Sequence, residues 1–408
     1  MYRQPIGEIK TTTELREQPQ PGRSADRPVQ AKAGRIIRTV MTRTAPPPTV
    51  SDDPRLSALR AWLATLAGQH ALDLASLRPA SDDASFRRYF RLDTDRGSLI
   101  AMDAPPPHED CRPFVRVAQL LAAAGLKVPA IVASDFGQGF LLIGDLGSET
   151  LLARLDRLRQ SGALTGAPIG EADRLYRGAT RALTRMQQAS KPGLLPDYDR
   201  ALLERELMLY PDWYLSRHLG MALSDADRNT LSQAFDALLA NALGQPRVIV
   251  HRDYHSRNLM MAQPKPDGSP PDDPDLPGVL DFQDAVYGPI TYDLVSLLRD
   301  AYVEWPEAQQ LDWAIRWWES ARAAGLPVQA DFGEFWRDFE WMGLQRQLKV
   351  LGIFARLHHR DGKSRYLADM PRVLAAATGV ANRYREFAGL ARLIDRAEQR
   401  KSTTGYTF

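Results

Sequence analysis

The feature that most constrains the fold is a pair of polar segments, each joined to short apolar runs that predict β-strands. The first polar segment, residues 251–258, follows an apolar run and ends at Asn258. The second polar segment begins at Asp281, directly after a later apolar run. The runs 259–261 and 278–280 predict the two strands of a β-hairpin. Because antiparallel strands bring the start of one beside the end of the other, Asn258 and Asp281 should meet. Amide and carboxylate oxygens suit Mg²⁺, so the pair predicts a magnesium site.

The first polar segment also has an informative spacing. It consists of His-Arg-Asp, four further residues and Asn, which is the pattern of a kinase catalytic loop. Asp253 is therefore the predicted catalytic base, which orients an acceptor hydroxyl and takes its proton. This loop, followed by the strand-ending Leu-Asp-Phe at Asp281, resembles the aminoglycoside-phosphotransferase family, which includes choline and other small-molecule kinases.

The resemblance implies an α+β, bilobal, protein-kinase-like fold with a small antiparallel-sheet N-lobe and a mostly helical C-lobe. ATP and Mg²⁺ would lie between the lobes, and the γ-phosphoryl group would pass to an alcohol. Asp293 resembles the family's buried aspartate that supports the catalytic loop, and His251 is given a structural role beside it. A helix cap is the alternative role for Asp293.

The chain divides into four parts by composition and pattern. Residues 1–50 are basic, rich in proline and poor in large apolar residues, which predicts a disordered tail. A docking or targeting arm is the alternative for this part, and Met41 is an alternative start. Residues 51–145 predict a nucleotide-binding N-lobe with a leading helix, and residues 146–400 predict the helical C-lobe with the catalytic loop and acceptor site. Residues 401–408 are predicted to form a second tail.

Apolar periodicity predicts the elements within these parts. The predicted strands cover residues 86–92, 98–102, 130–134, 140–143 and 248–250. The predicted helices cover residues 53–63, 114–124, 171–189, 199–218, 225–243, 291–303, 307–324, 332–358 and 370–397.

The predicted N-lobe departs from the family pattern in two places. Residues 81–91 stand where a glycine-rich phosphate loop belongs but contain no glycine. The small side chains of Ala84 and Ser85 should still let backbone N–H groups approach the phosphates, and Ser85 and Phe86 are the residues expected to bind the nucleotide. The third strand lacks the lysine that the family usually has. We expect Arg87 or Arg88 to replace it, with Arg88 as the specific hypothesis and a solvent-facing strand residue as its alternative. A site that relies more on metal, or a catalytically dead pseudokinase, would also account for the missing lysine.

The two lobes are expected to join near residues 143–147. The backbone at Asp145 and Leu146 would hydrogen-bond the adenine edge there. A simple turn is the alternative for this segment.

The N-lobe segment and a long helix, residues 332–357, together resemble the anomeric N-acetylmuramate/N-acetylglucosamine kinases of bacterial cell-wall recycling. Those enzymes phosphorylate the anomeric hydroxyl of an amino sugar. Glu206 is expected to bind sugar hydroxyls and Trp213 to line the pocket, with a solvated helix face as the alternative. Arg346 or Arg356 is expected to bind the lactyl carboxylate through two parallel hydrogen bonds, and a surface salt bridge is the alternative for each.

The sequence is also compatible with other acceptor molecules and with another class of protein. An aminoglycoside, choline or another small alcohol would suit the same catalytic loop, and a nucleotide-binding scaffold without turnover is the non-enzymatic alternative. A polycationic aminoglycoside needs an acid-rich site. Residues 331–365 instead contain more basic than acidic side chains, which favours an amino sugar.

The composition excludes several classes of protein. The chain has 52 Lys and Arg against 50 Asp and Glu, a net charge of +2, which is far from the basicity of a dedicated nucleic-acid binder. No apolar run is long enough to span a bilayer. The single cysteine, Cys111, excludes an internal disulfide. These observations predict a cytoplasmic enzyme with ATP and a small amino sugar as partners, and without nucleic-acid or membrane partners. They leave the oligomeric state open.

Overall fold

An antiparallel sheet forms the first large element of the structure. The computed structural model describes residues 53–80, 87–106, 108–161, 170–263 and 269–399. Five strands lie in the order β1-β2-β3-β5-β4, and all neighbours run antiparallel. The strands are β1 Asp73–Pro79, β2 Arg88–Thr94, β3 Gly97–Asp103, β4 Ile131–Asp135 and β5 Phe140–Gly144.

Helices cover both faces of this sheet. Helix α1, Pro54–His70, shares an apolar core with Phe90 and Leu142 on one face. Helix α2, Arg112–Ala123, shares a second core with Ile143 on the other face. Because successive side chains of a strand point to opposite faces, each strand divides its residues between the two cores. The strand register therefore decides which side chains can reach the rest of the protein.

The chain after β5 is mostly helical. Its helices are α3 Leu151–Gln160, α4 Gly170–Gln188, α5 Arg200–Leu207, a π-helix Tyr210–His218, α6 Asp225–Gly244, α7 Tyr292–Leu298, α8 Glu307–Ala323, α9 Phe332–Asp361, α10 Met370–Arg383 and α11 Ala388–Ala397. Two short 3₁₀-helices, Ser364–Asp369 and Arg385–Phe387, flank α10. A small sheet followed by a helical region confirms the α+β class predicted from the sequence.

Helix α9 is the central element of the helical part. It begins at an Asp331 cap, whose side chain accepts a hydrogen bond from the Glu334 backbone, and ends at Gly362 in the left-handed conformation. Its buried side chains include Arg346 and Lys349 as well as apolar residues. A buried helix that carries charged side chains indicates a polar site within the core.

Two short strand pairs hold the polar segments. Strand β6, Arg247–Val250, pairs with β9, Val286–Pro289. Strand β7, Leu259–Met260, pairs with β8, Gly278–Val279, in antiparallel register. The hairpin expected from the apolar runs is therefore present.

Several predicted elements differ from the observed ones. The helix predicted for residues 199–218 is α5 followed by the π-helix, because Pro211 has no N–H to continue an α-helix. The helix predicted for residues 370–397 breaks at Tyr384, which has extended backbone. The helix predicted for residues 291–303 ends at Leu298. Strand β1 was missed because its apolar residues do not alternate regularly and it ends in proline.

Some predictions lie outside the described residues. They are the two tails at residues 1–50 and 401–408, the alternative start at Met41, and the phosphate-loop residues Ser85 and Phe86. In the described ranges, no helix has the length and apolar character needed to cross a membrane.

Helix α9 approaches a backbone turn closely at Gly352. A Cβ atom at this position would lie 2.4 Å from the Leu209 carbonyl oxygen, whereas a Cβ at Gly379 in α10 would meet no atom within 4 Å. We expect Gly352→Ala to lower the free energy of unfolding by about 1–3 kcal/mol, because backbone must move to admit the methyl group. Thermal unfolding followed by circular dichroism measures the change.

Gly379→Ala is the matched control for this prediction. Alanine favours a helix interior over glycine, so this variant should gain about 0.5–1 kcal/mol. Equal shifts of the two melting temperatures would contradict the close contact at Gly352.

Candidate active site

The carboxylate of Asp293 fixes the start of the catalytic loop. This residue is fully buried near the start of α7, and its two oxygens accept hydrogen bonds from the backbone N–H groups of His251 and Arg252 at 2.6 and 3.0 Å. Burial raises the pKa of the Asp293 carboxyl to about 7, although both amide donors oppose that rise. The geometry is that of the supporting aspartate expected from the family resemblance.

The His251 ring joins the catalytic loop to the strand that ends at Asp281. Its Nε2 donates to the Leu280 carbonyl at 2.9 Å, and its Nδ1 accepts from the Asp253 backbone at 3.3 Å. Burial lowers the pKa of His251 to about 4, so the ring is neutral near pH 7. This ring therefore ties the segments that carry the predicted base and the predicted metal ligand.

Asn258 and Asp281 meet, as the hairpin geometry requires. Asn258 Nδ2 lies 3.5 Å from Asp281 Oδ2 and donates to the Asp253 carbonyl at 2.9 Å. Asp281 and Arg252 have positive φ angles of 62° and 77°, which are unfavourable for residues with a Cβ. Strained backbone of this kind is concentrated at functional sites.

The donor set at this point fits a magnesium ion. Asp281 offers an exposed carboxylate and Asn258 an amide oxygen, both of them hard ligands. The described residues contain no group of three or more His, Cys, Asp or Glu side chains that would hold a metal unaided. An ion here would therefore take its other ligands from water and phosphate, as Mg²⁺ commonly does.

Cationic side chains surround the predicted base, Asp253. Burial alone would raise the pKa of its carboxyl, but Lys349, the nearby His255 ring, Arg346 and Arg252 together lower it to about 2. Lys349 is a residue that the sequence reasoning missed. It lies one helical turn after Arg346 on α9, and only its tertiary contacts, such as the ion pair with Glu206, reveal its position.

Glu206 does not have the position expected of a sugar ligand. One of its carboxylate oxygens lies 3.2 Å from Lys349 Nζ and also pairs with Arg252, and the other accepts a hydrogen bond from the Tyr198 hydroxyl. The side chain is 7% exposed. The prediction that Glu206 binds sugar hydroxyls is therefore wrong for this structure, because protein groups already use both oxygens. Glu206 instead anchors two of the cations near Asp253.

A cavity lies between the sheet and the hairpin. Its volume is about 300 Å³, and its wall includes Tyr89, Ile100, Leu146, Asn258 and Asp281. The predicted junction between the lobes thus lines the same cavity as the predicted metal ligands.

The carboxylate of Asp145 also lines this cavity, but it is engaged by the sheet. It accepts hydrogen bonds from Arg91 Nε at 2.5 Å and Ser98 Oγ at 2.7 Å. Burial opposes the ionised form, yet these donors lower the pKa of Asp145. Arg91 was not predicted as a site residue. The available signal was its spacing of two residues from Tyr89 along β2, which places both side chains on the same face of the sheet.

Arg88 points away from this cavity. In the β2–β3 register, Arg88 lies opposite Asp103, and its guanidinium donates to that carboxylate at 2.6 Å on the face covered by α1. The prediction that Arg88 contacts phosphate is wrong for this geometry, because it ignored the alternation of faces along the strand. Arg87 instead donates to Glu109 through Nε and Nη2 at 3.1 and 2.9 Å.

Arg87 is also within electrostatic reach of the predicted metal site. Burial opposes its charge, but Tyr89, Glu109 and Asp281 together raise the pKa of Arg87. Arg87 and Glu109 therefore form an ion pair near Asp281, in a site whose third strand lacks the lysine usual in the family.

Trp213 lies on the π-helix and is half-buried. Its ring centroid is 5.9 Å from the Arg217 guanidinium, and the ring packs against the main apolar core. None of the contacts described for Trp213 joins it to the catalytic loop, so its role in the pocket stays a prediction.

The fold and the site together define a protein-kinase-like phosphotransferase. The solved choline/ethanolamine kinase family protein from Mesorhizobium loti matches 84% of this chain and 99% of its own, with a TM-score of 0.52 and 16% sequence identity, which indicates a shared fold. A family model described as the phosphotransferase enzyme family matches residues 76–328. The chain belongs to this family, as the sequence motifs predicted.

Two relatives narrow the comparison. The N-acetylmuramate/N-acetylglucosamine kinase of Pseudomonas aeruginosa is 47% identical over 352 residues, which cover 85% of this chain and 97% of the relative. The protein of the same name from Neisseria meningitidis is 44% identical, with 86% of this chain and 98% of the relative covered. The chain is therefore a phosphotransferase enzyme, and the resemblance inferred from its motifs is confirmed.

The charge of Lys349 generates a prediction for the pH dependence of the rate. A carboxyl with a lowered pKa stays ionised as the pH falls and is protonated only below that pKa. Asp253 should therefore remain ionised between about pH 4 and pH 8 in the unchanged protein. Lys349→Gln removes the largest attractive charge and should raise the pKa of Asp253, so the acid limb of the kcat profile should move to higher pH.

Initial rates across the pH range measure this shift, with Lys349→Arg as the control that keeps the charge. Circular dichroism at each pH separates inactivation from unfolding. If the acid limb of the kcat profile lay at the same pH in Lys349→Gln and in the unchanged protein, Lys349 would not act on the base.

Proposed function

We propose that the protein is an ATP-dependent kinase that phosphorylates the anomeric hydroxyl of an amino sugar, N-acetylmuramate, N-acetylglucosamine or both, in peptidoglycan recycling. The observation that carries this proposal is that the Asn258 side chain contacts both the backbone carbonyl of Asp253 and the carboxylate of Asp281. The names of the two bacterial relatives supply the acceptor class. Within this proposal the enzyme works in the cytoplasm, where ATP is available.

The nucleotide is assigned to the cavity of about 300 Å³ between the sheet and the hairpin. The apolar Ile100 and Leu146 side chains suit a purine base, and the backbone of residues 145–147 would hydrogen-bond its edge. Arg87, held by Glu109, is the proposed contact to phosphate in place of a third-strand lysine. Asn258 and Asp281 would hold Mg²⁺, which neutralises charge on the phosphates when bound.

Asp253 is the proposed proton acceptor for the sugar hydroxyl. Its pKa of about 2 makes it a weak base, because the surrounding cations stabilise its charge. A weak base is sufficient for a loose phosphoryl-transfer transition state, in which positioning supplies most of the rate gain. The loop contacts of His251 and Asp293 provide that positioning.

The charges near Asp253 disfavour a polycationic acceptor. Arg252, Arg346 and Lys349 all lower the pKa of the Asp253 carboxyl despite its burial, so they are close to the reacting hydroxyl. An aminoglycoside would bring like charges to this point, whereas a neutral or acidic amino sugar would not. This arrangement supports an amino sugar over the aminoglycoside and choline alternatives.

Phosphorus NMR of the reaction product tests the proposed function. Purified protein with ATP, Mg²⁺ and N-acetylmuramate or N-acetylglucosamine should give a phosphate coupled to the anomeric proton. Asp253→Asn should lower kcat by about 10²–10⁴-fold and leave ATP affinity nearly unchanged, because it removes the proton acceptor. Phosphate on a kanamycin ring hydroxyl, with neither amino sugar phosphorylated, would overturn the proposed acceptor.

The proposed metal ligands generate a separate prediction. Asp281→Asn keeps the size of the side chain but removes its charge, so the Mg²⁺ concentration for half-maximal rate should rise by about tenfold or more. Rates measured across a magnesium titration test this, with Asp284→Asn as a control on the neighbouring exposed carboxylate. An unchanged magnesium requirement in Asp281→Asn would remove this residue from the metal site.

A further inference from the structure

Arg346 is a buried cation without an anionic partner in the described part of the chain. The residue is 4% exposed in the middle of α9. Its Nε has no hydrogen-bond acceptor, and among the described residues no carboxylate forms an ion pair with its guanidinium. Burying a guanidinium is costly unless an anion compensates for the lost hydration. The position therefore indicates a place for an anion that the chain itself does not supply.

The neighbouring cations Lys349 and Arg252, in contrast, do have a carboxylate partner. Lys349 is held by Glu206 at 3.2 Å and donates to the Tyr292 hydroxyl at 2.8 Å. Arg252 also pairs with Glu206. Of the three cations Arg252, Arg346 and Lys349, only Arg346 has no ion pair with a carboxylate of the described residues. The two paired cations serve the loop, which leaves Arg346 available to a ligand.

Arg346 also borders open space. It lines a cavity of about 330 Å³ between the chain after α7 and helices α9 and α10, a volume within the range of small-molecule sites. Gln347 lines the same cavity, and its Oε1 has no hydrogen-bond partner among the described residues. A buried acceptor and a buried donor thus both line this cavity. Its wall also includes Asp300, whose carboxylate accepts a hydrogen bond from the Ser256 backbone in the catalytic loop.

We propose that Arg346 binds the carboxylate of an acidic acceptor, and so distinguishes N-acetylmuramate from N-acetylglucosamine. This inference rests on the proposed sugar-kinase function. A guanidinium presents two parallel N–H donors that match the two oxygens of a carboxylate. Since Asp300 joins the cavity wall at Arg346 to the catalytic loop, the proposal places the carboxylate of the sugar at Arg346 and its anomeric hydroxyl at Asp253 of that loop.

Arg356, the other arginine considered on this helix, is less suited to the same role. It is half-buried and lies ten residues further along α9, about 15 Å by the rise of an α-helix. Burial lowers the pKa of Arg356 and neighbouring Arg360 adds to that effect, so its electrostatic partners lie near the end of α9. Arg356 therefore provides a control of the same residue type on the same helix.

The test compares kcat/KM for the two sugars in Arg346→Gln, Arg346→Lys and Arg356→Gln, all at pH 8, where the base is ionised. Arg346→Gln should lower kcat/KM for N-acetylmuramate by about 10–100-fold, the loss of a charge-assisted pair, mainly through KM. The value for N-acetylglucosamine, which has no carboxylate, should change by less than about threefold. Arg346→Lys keeps the charge without the paired donors and should lose about 3–10-fold on N-acetylmuramate alone.

Each outcome separates the inference from the proposed function. Equal losses on both sugars in Arg346→Gln would overturn the inference and leave the kinase assignment intact. A selective loss in Arg356→Gln would also overturn it, because the carboxylate would then lie elsewhere on α9. If the unchanged protein phosphorylates neither sugar, the proposed function itself fails. If Arg346→Gln does not fold, the selective loss in Arg346→Lys decides the question.

Discussion

The active site depends on one buried carboxylate that accepts two backbone hydrogen bonds. Asp293 holds the N–H groups of His251 and Arg252, and so sets the path of the loop before Asp253. The left-handed backbone of Arg252 would be unfavourable without such a constraint. The His251 ring then donates a hydrogen bond to the Leu280 carbonyl, which positions the segment that ends at Asp281. The proposed base and the proposed metal ligands are thus positioned by hydrogen bonds to the backbone more than by their own side-chain contacts.

Helix α9 joins the packing of the helical region to the chemistry of the site. Its apolar side chains contribute to the main core, while the buried Lys349 pairs with Glu206 and, together with Arg346, stabilises the charge of Asp253. One network, Glu206 with Arg252 and Lys349, connects α5, the catalytic loop and α9 through ion pairs. Helices therefore hold Glu206 and Lys349, so the charge of Lys349 that acts on Asp253 is carried by a rigid element.

The sequence was sufficient to predict the class of fold, the hairpin and the meeting of Asn258 with Asp281, because these follow from local spacing and strand pairing. It was insufficient for Arg88 and Glu206. Arg88 failed because the face of a strand on which a residue lies depends on register, which the motif does not specify. Glu206 failed because its partners, Arg252 and Lys349, come from distant parts of the chain. Charged residues that meet through tertiary packing leave no periodic signal in the sequence.

The hairpin that brings Asn258 and Asp281 together has a long connection rich in proline and aspartate. The strand pairing of Leu259 with Val279 and the hydrogen bond from Leu280 N to Asn258 O close the hairpin at its base. Since the entropy of closing a loop grows only slowly with its length, the connection can gain residues at small thermodynamic cost. A change in the length of this connection would thus leave Asn258 and Asp281, the proposed metal ligands, in register.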